Sequence, residues 1–244
     1  MWLVLCDPGD AAALWAYVGL RARGLTALEL VTPQALVCSL RSVHRVRPTG
    51  ASFEIALADG RTLDSAKLRG VLNRLSNLPL DHLTIAPEAE ARYAIEEMHA
   101  LVLSLMASIS SISLNRPSPR GLGGAWRPQA EWTLLAARAG LAAPALRLSS
   151  SRGVWVAEPA LPRQTAIVLG KEVFGAELPA GLAQACVRLA QLSDTELIGI
   201  DLHRRSDGTL WFSGASALPD LRIGGGPLLD HLHTCLTRAS AATA

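Results

Sequence analysis

Apolar and polar positions along this chain fall into short runs that switch between the two-residue period of a strand and the 3.6-residue period of a helix. Leu3 to Cys6 is an unbroken apolar run and reads as a buried strand. Asp7-Pro8-Gly9-Asp10 is a turn, with Asp10 placed to cap a helix over Ala11 to Arg23 that Gly24 stops. The i, i+4 spacing of Leu14, Val18 and Ala22 assigns that helix its core-facing stripe. Leu28 to Val31 is a second strand and Thr32-Pro33 opens a short helix. This β-α-β order predicts a small parallel sheet.

Val43 to Val46, Phe53 to Leu57 and Arg61 to Leu63 then read as antiparallel strands, with Asp59-Gly60 as a hairpin turn. Leu68 to Leu72 returns as a strand ending at Asn73-Arg74. A long helix follows over Glu88 to Ser108, with Tyr93, Met98, Leu101 and Leu105 as its stripe. Ile112 to Leu114 is a short strand. The glycine- and proline-rich loop Asn115 to Gly124 is the clearest boundary, so the expected domains are 1–114 and 115–244. The second half predicts a helix over Gln129 to Ala139, strands near Ala145 to Leu148 and over Val154 to Ala157, and a hairpin of Ala166 to Leu169 with Glu172 to Phe174. A helix over Pro179 to Leu192 precedes a last hairpin. There a strand carrying Asp201 turns over Asp207-Gly208 and returns as Trp211 to Ser213. Pro227 to Arg238 closes the chain as a helix.

At 244 residues, with 50% hydrophobic and 18% charged residues, the chain is long and apolar enough for a substantial core. A net charge of +2, with arginines scattered through helices and turns, argues against nucleic acid as partner. Cys6, Cys38, Cys186 and Cys235 lack the spacing of a zinc site and sit in apolar contexts, which predicts buried free thiols. The apolar start meets Asp7 at once and has no basic leader. The longest apolar run, Ala100 to Ser113, is shorter than the ~20 residues of a membrane span. A soluble, cytoplasmic protein is expected.

The ending, Ile198 to Leu221, resembles the metal-binding hairpin of ATP-grasp ligases, whose return strand reads roughly Phe-Leu-Glu-Val-Asn-Pro-x-Pro. The same register here reads Phe212-Ser213-Gly214-Ala215-Ser216-Ala217-Leu218-Pro219. Other pieces fall in family order. Val71-Leu72-Asn73-Arg74 stands where an aromatic-Arg-Arg motif often follows a strand. The stretch from Ser111 to Ser151 resembles the entry into the central domain, and Val154 to Pro179 resembles the hinge strand and following hairpin. The resemblance is to the glutathione-synthetase-like, peptide-modifying branch and covers nearly the whole chain. It implies an α/β (α+β) fold: a Rossmann-like pre-ATP-grasp domain followed by a reduced ATP-grasp lobe built on an antiparallel sheet.

The departures from that pattern carry the functional expectation. Gly214 and Ser216 stand where the family places magnesium-binding Glu and Asn, leaving Asp201 as the one weak metal candidate. Only Ser150, Ser151, Arg152 and Gly153 separate strands between which the family inserts its phosphate-covering loop. The chain holds two lysines, Lys67 and Lys171, neither at the phosphate position. Phosphoryl transfer needs magnesium to neutralise developing charge, and magnesium prefers carboxylate oxygens. The expectation is a non-catalytic binding or scaffold protein, an accessory of a peptide- or natural-product-modifying system. It would have no cofactor, and its partner would be a protein, a peptide or a second copy. The alternative is an ATP- and magnesium-dependent carboxylate–amine (or –thiol) ligase with a rearranged site using Asp201 and Lys171. A third reading is an unrelated two-lobe α/β protein that grips an anion.

Candidate ligand-binding residues are Asn73, Arg74, Asn115, Arg116, Arg120, Arg127 and Glu158. Arginines on a glycine-rich loop can fork onto a carboxylate or phosphate, or simply decorate a polar connector. Glu158 falls at the hinge position that would meet an adenine, although Pro159 follows it. Asp201 has a plain structural role available, pairing with His203, Arg204 or Arg205. His231 and His233 are two apart on a helix and face different ways, and Ser149-Ser150-Ser151 has no recognisable triad partners. Six tryptophans supply core mass and possible interface anchors.

Overall fold

The computed structural model describes residues 1–145 and 163–241, which divide into two compact units, Met1–Ala125 with Leu229–Ala244, and Trp126–Leu228. The strand expected over Val154 to Ala157 and most of the one near Ala145 to Leu148 lie outside the described residues, as do Arg152 and Glu158.

In the first unit, β1 (Trp2–Cys6) leads through α1 (Ala11–Ala22) to β2 (Leu28–Val31) and α2 (Pro33–Val37). Next come β3 (Arg41–Arg47), β4 (Gly50–Ala56), β5 (Thr62–Asp64), β6 (Gly70–Arg74), α3 (Glu88–Ala107) and β7 (Ser113–Leu114). The parallel sheet expected from the β-α-β opening is present, in the order β2-β1-β6-β7. Leu3, Val4, Leu5 and Cys6 are all buried, as a central parallel strand covered on both faces requires. A separate antiparallel sheet runs β3-β4-β5, so β3 is an edge strand.

Two helix faces differ from the periodicity reading. On α1, Leu14 and Val18 are 38% and 66% exposed, and the buried face is Ala12, Ala13, Ala16 and Leu20. Asp10 accepts from Ala13 N–H and fixes where the helix starts; from there, small side chains let the helix lie close to its neighbours. A Cβ on Gly19 would come within 2.5 Å of Leu229 Cδ1. On α3, Leu105 is buried and Met98 packs against the core as expected, but Tyr93 and Leu101 are exposed, and Ala91, Val102 and Met106 complete the buried face.

The second unit holds α4 (Gln129–Ala139), β8 (Arg163–Leu169), β9 (Glu172–Phe174), α5 (Ala180–Leu192), β10 (Leu197–Arg204) and β11 (Leu210–Ser216). Its sheet is antiparallel, ordered β11-β10-β8-β9. Ile198, Ile200 and Leu202 alternate along β10 and pack with Phe212, Trp132, Leu135, Cys186 and Leu189. The period-2 pattern thus sends Asp201 to the opposite face. Gly140 takes φ +88° to close α4, and Gly208 takes φ +84° in the hairpin turn, both left-handed positions that favour glycine. The last helix, α6 (Gly225–Ala241), returns to the first strand: Trp2 Nε1 donates to Leu236 O at 3.1 Å, and Arg23 pairs with Asp230 at 2.6 Å.

The cysteines are all free but not all buried: Cys38, just past the end of α2, is exposed, and Cys235 on α6 is half-buried. Burial pushes the thiols of Cys6 and Cys186 up to about 11. With a thiol-exchange reagent at pH 8, Cys38 is expected to react in the native protein. Cys6 and Cys186 should react only on unfolding, and their prompt reaction would contradict this burial. Among the described residues no helix is long and apolar enough to cross a membrane.

Candidate functional site

The hairpin of β10 and β11 is the chemical centre of the resemblance, and its register is now explicit. Asp201 lies opposite Gly214, Leu202 lies opposite Phe212, and Ser213 is the extra residue of a bulge between them. The bulge keeps Phe212 in the core while Gly214 faces the side of the sheet that carries Asp201. Ser213 Oγ donates to Asp201 O at 3.1 Å and fixes the irregularity.

Both Asp201 carboxylate oxygens are engaged. Arg163 Nη2 donates to Oδ2 at 2.5 Å, and Thr165 Oγ1 donates to Oδ1 at 2.7 Å. Thr165 is the direct cross-strand partner of Asp201, and Arg163 lies diagonally from it on β8. The ion pair expected with His203, Arg204 or Arg205 is therefore replaced by one with Arg163. Arg204 instead donates to Gly208 O, Arg205 stacks 3.9 Å from the Trp211 ring, and His203 Nδ1 is buried with no hydrogen-bond partner among the described residues.

Gln129, the first residue of α4, went unnoticed in the sequence. Its Nε2 donates to Ser213 O at 2.7 Å, and a Cβ on Gly214 would lie 3.7 Å from its Oε1 and 3.9 Å from Asp201 Oδ2. A neutral amide thus stands beside the position where a second carboxylate would project. Ser216 Oγ accepts from Leu218 N–H at 3.0 Å and caps the following turn. A magnesium ion needs several free oxygens in near-octahedral array. Here one carboxylate is already bonded by a guanidinium and a hydroxyl, and the two register positions bring no acid. The donor set does not fit the ion. Among the described residues no three His, Cys, Asp or Glu side chains cluster in a way that could hold one.

Lys171 occupies the turn between β8 and β9, six residues along the strand from Thr165, or roughly 20 Å at strand rise. Lys171 and Asp201 do not share one site.

In the first unit the structure gathers the other candidates at the C-terminal end of the parallel sheet, between β1 and β6. Chain order reverses there, the usual place for a ligand crevice in such sheets. Asn73 is buried, and its amide donates to Asn115 O at 3.1 Å and Leu122 O at 2.7 Å, while its Oδ1 accepts from Leu75 N–H. Asn115 is buried beside it. Arg74 is 4% exposed and pairs with Asp10 at 2.7 Å. Burial works to raise the Asp10 carboxyl, but hydrogen bonds from Arg74 and from Ala13 N–H outweigh it and hold the group below its ordinary value. These side chains tie the sheet edge, the α1 cap and the loop together. Arg116 and Arg120 stand exposed on that loop. Arg127 belongs to the second unit, where it donates to Ser193 O at 2.7 Å, lies 3.3 Å from Glu131 Oε1 and stacks 5.5 Å from Trp132.

No protein-family model and no curated protein matches the sequence. Solved structures do match in fold. The RiPP-associated ATP-grasp ligase of Chryseobacterium gregarium, in complex with ADP and a leader and core peptide, gives a TM-score of 0.69 at 11% identity, over 100% of this chain and 97% of that one. Macrocyclase MdnC of Microcystis aeruginosa, bound with precursor peptide MdnA, gives 0.70 at 10% identity over 97% and 99%. The ATP-grasp ligase PsnB, complexed with a minimal precursor, gives 0.71 at 16% identity over 98% of both chains. The fold is that of the peptide-modifying ATP-grasp ligases, as the hairpin phrasing implied.

Proposed function

We propose that this chain is a non-catalytic ATP-grasp-like protein that binds a peptide or protein within a peptide-modifying system. One observation carries the reading: Asp201, the only carboxylate on the two strands of the hairpin, is bonded by Arg163 and Thr165 while Gly214 and Ser216 contribute no acid. A peptide partner is carried over from the relatives, which are solved with precursor or leader and core peptides. On this reading residues 1–114 are the leading domain and 115–244 the reduced ligase lobe, and no nucleotide is used.

The competing reading, an ATP-dependent carboxylate–amine ligase with an altered site, is favoured by the likeness to a ligase solved with ADP and magnesium. Calorimetry separates the two. Titrating ADP with magnesium into the protein is expected to give no binding heat. Low-micromolar, magnesium-dependent affinity that Asp201→Asn abolishes would establish the ligase reading in its place.

A further inference from the structure

Strand β3 is the edge of its sheet, and its two faces differ in chemistry. Its pairing with β4 puts Val43 opposite Glu54 and Arg45 opposite Ser52, whereas His44 lies opposite the buried Phe53 and Ser42 opposite the buried Ile55. Alternation then places Arg41, Val43, Arg45 and Arg47 on the outer face, and Leu40, Ser42, His44 and Val46 on the inner face. Arg41, Arg45 and Arg47 are exposed, and among the described residues none of them has an ion-pair partner. On the inner parity, Leu40 and Val46 are 75% and 72% exposed, large apolar groups left at the rim of a buried face. Where β3 begins, residues 39–42 rim an apolar cavity of about 250 Å³ lined by Leu36, Phe53, Ile55, Met98 and Leu101. An apolar cavity of about 150 Å³ already admits benzene.

We infer that β3 docks an extended acidic peptide segment as a fourth strand of this sheet. Acidic side chains of the segment face Arg41, Arg45 and Arg47, alternate apolar ones cover Leu40 and Val46, and a terminal apolar side chain enters the cavity. The free main-chain edge supplies the hydrogen bonds and the alternation supplies the specificity. A second copy is disfavoured, because antiparallel pairing of β3 with itself opposes arginines. Single-stranded RNA is disfavoured as well: the rings of β3, β4 and β5 are the buried Phe53 and the half-buried His44 opposite it on the inner face, so the strands offer no fully exposed ring for base stacking. The site is independent of the nucleotide question and relies on the peptide reading only for the source of the segment. Failure here leaves the calorimetric result standing.

The probe is a fluorescein-labelled peptide, Leu-Glu-Val-Glu-Val-Glu-Val, measured by anisotropy without nucleotide. It is expected to bind the wild type, to weaken with salt, and to lose at least about tenfold in affinity on Arg45→Glu/Arg47→Glu. Because the arginines are exposed, the variant should melt like the wild type. If it does not, hydrogen exchange of the wild-type β3 amides, slowed by the peptide, is the deciding measurement. No binding at about 1 mM peptide, or unprotected β3 amides, overturns the inference. So does equal binding of the peptide with Lys for Glu, or with Pro for Val. Displacement of the peptide by oligouridylate would assign the surface to RNA, and a dimer broken by the arginine variant would assign it to a second copy; either result overturns it too.

Discussion

Asp10→Ala is expected to cost roughly 3–5 kcal/mol in urea unfolding at pH 7, the largest loss of any single exposed-to-partly-buried polar change in the first unit. The substitution strips a helix cap and removes the carboxylate that pairs with the Arg74 guanidinium, which is 4% exposed. A second route checks the cause. Replacing both partners by apolar groups, Asp10→Leu with Arg74→Met, removes the buried charge as well and should recover a large part of the loss. The pH dependence has a fixed sign. Because the folded carboxyl titrates below its unfolded value, its contribution is complete above the unfolded value and disappears as pH falls through the folded one. The urea midpoint of the wild type should therefore drop below about pH 4, and the Asp10→Ala protein should lack that component. A cost below about 1 kcal/mol would mean that water already shares the pair.

Asn73→Leu should remove roughly 3 kcal/mol, from a different source. The variant keeps the side-chain size but removes the donor to Leu122 O and Asn115 O and the acceptor for Leu75 N–H, and a buried group left unpaired costs about 1–3 kcal/mol. The effect should also be local. Amides from residue 115 to 122 would exchange faster than the rest of the unit, because Asn73 is the pin that holds the loop against the sheet. Uniform acceleration across the parallel sheet would show that Asn73 acts on global stability instead. Arg116 and Arg120 ride on this loop, so any anion affinity they possess should weaken in the same variant.

Element order and the hairpins were legible because they rest on local signals: a capping Asp10, stops at Gly24 and Gly140, and turns at Asp59-Gly60, Gly170-Lys171 and Asp207-Gly208, whereas the pairings of β1 with β6 and of β8 with β10 join distant segments and were not. The burial of helix faces was less so. Periodicity favoured the large Leu14 and Val18, while packing on α1 uses Ala12, Ala13 and Ala16, whose small side chains give a weak hydrophobic signal and a close approach. The site divides in the same way. That Gly214 and Ser216 lack acids can be read from the residues alone. That Asp201 is held by Arg163 depends on a partner 38 positions away, and nothing in Arg163 itself announces it. Gln129 was hidden for the same reason, since its contact with Ser213 spans 84 positions. Exposed and buried arginines look alike in a sequence, so Arg74 and Arg127, both engaged internally, were grouped with Arg116 and Arg120.

The seating of α6 on the opening strand bears on synthesis. The Trp2–Leu236 hydrogen bond joins residues 234 apart, and the Cβ-free surface of Gly70 receives the Leu236 backbone so closely that any side chain there would meet its carbonyl at 2.8 Å. A chain emerging from the ribosome therefore completes its first unit only after the second has been made. Residues 126–228 can collapse on contacts already translated, whereas the central strands of the parallel sheet gain their contact with α6 only once residues 229–241 have been made.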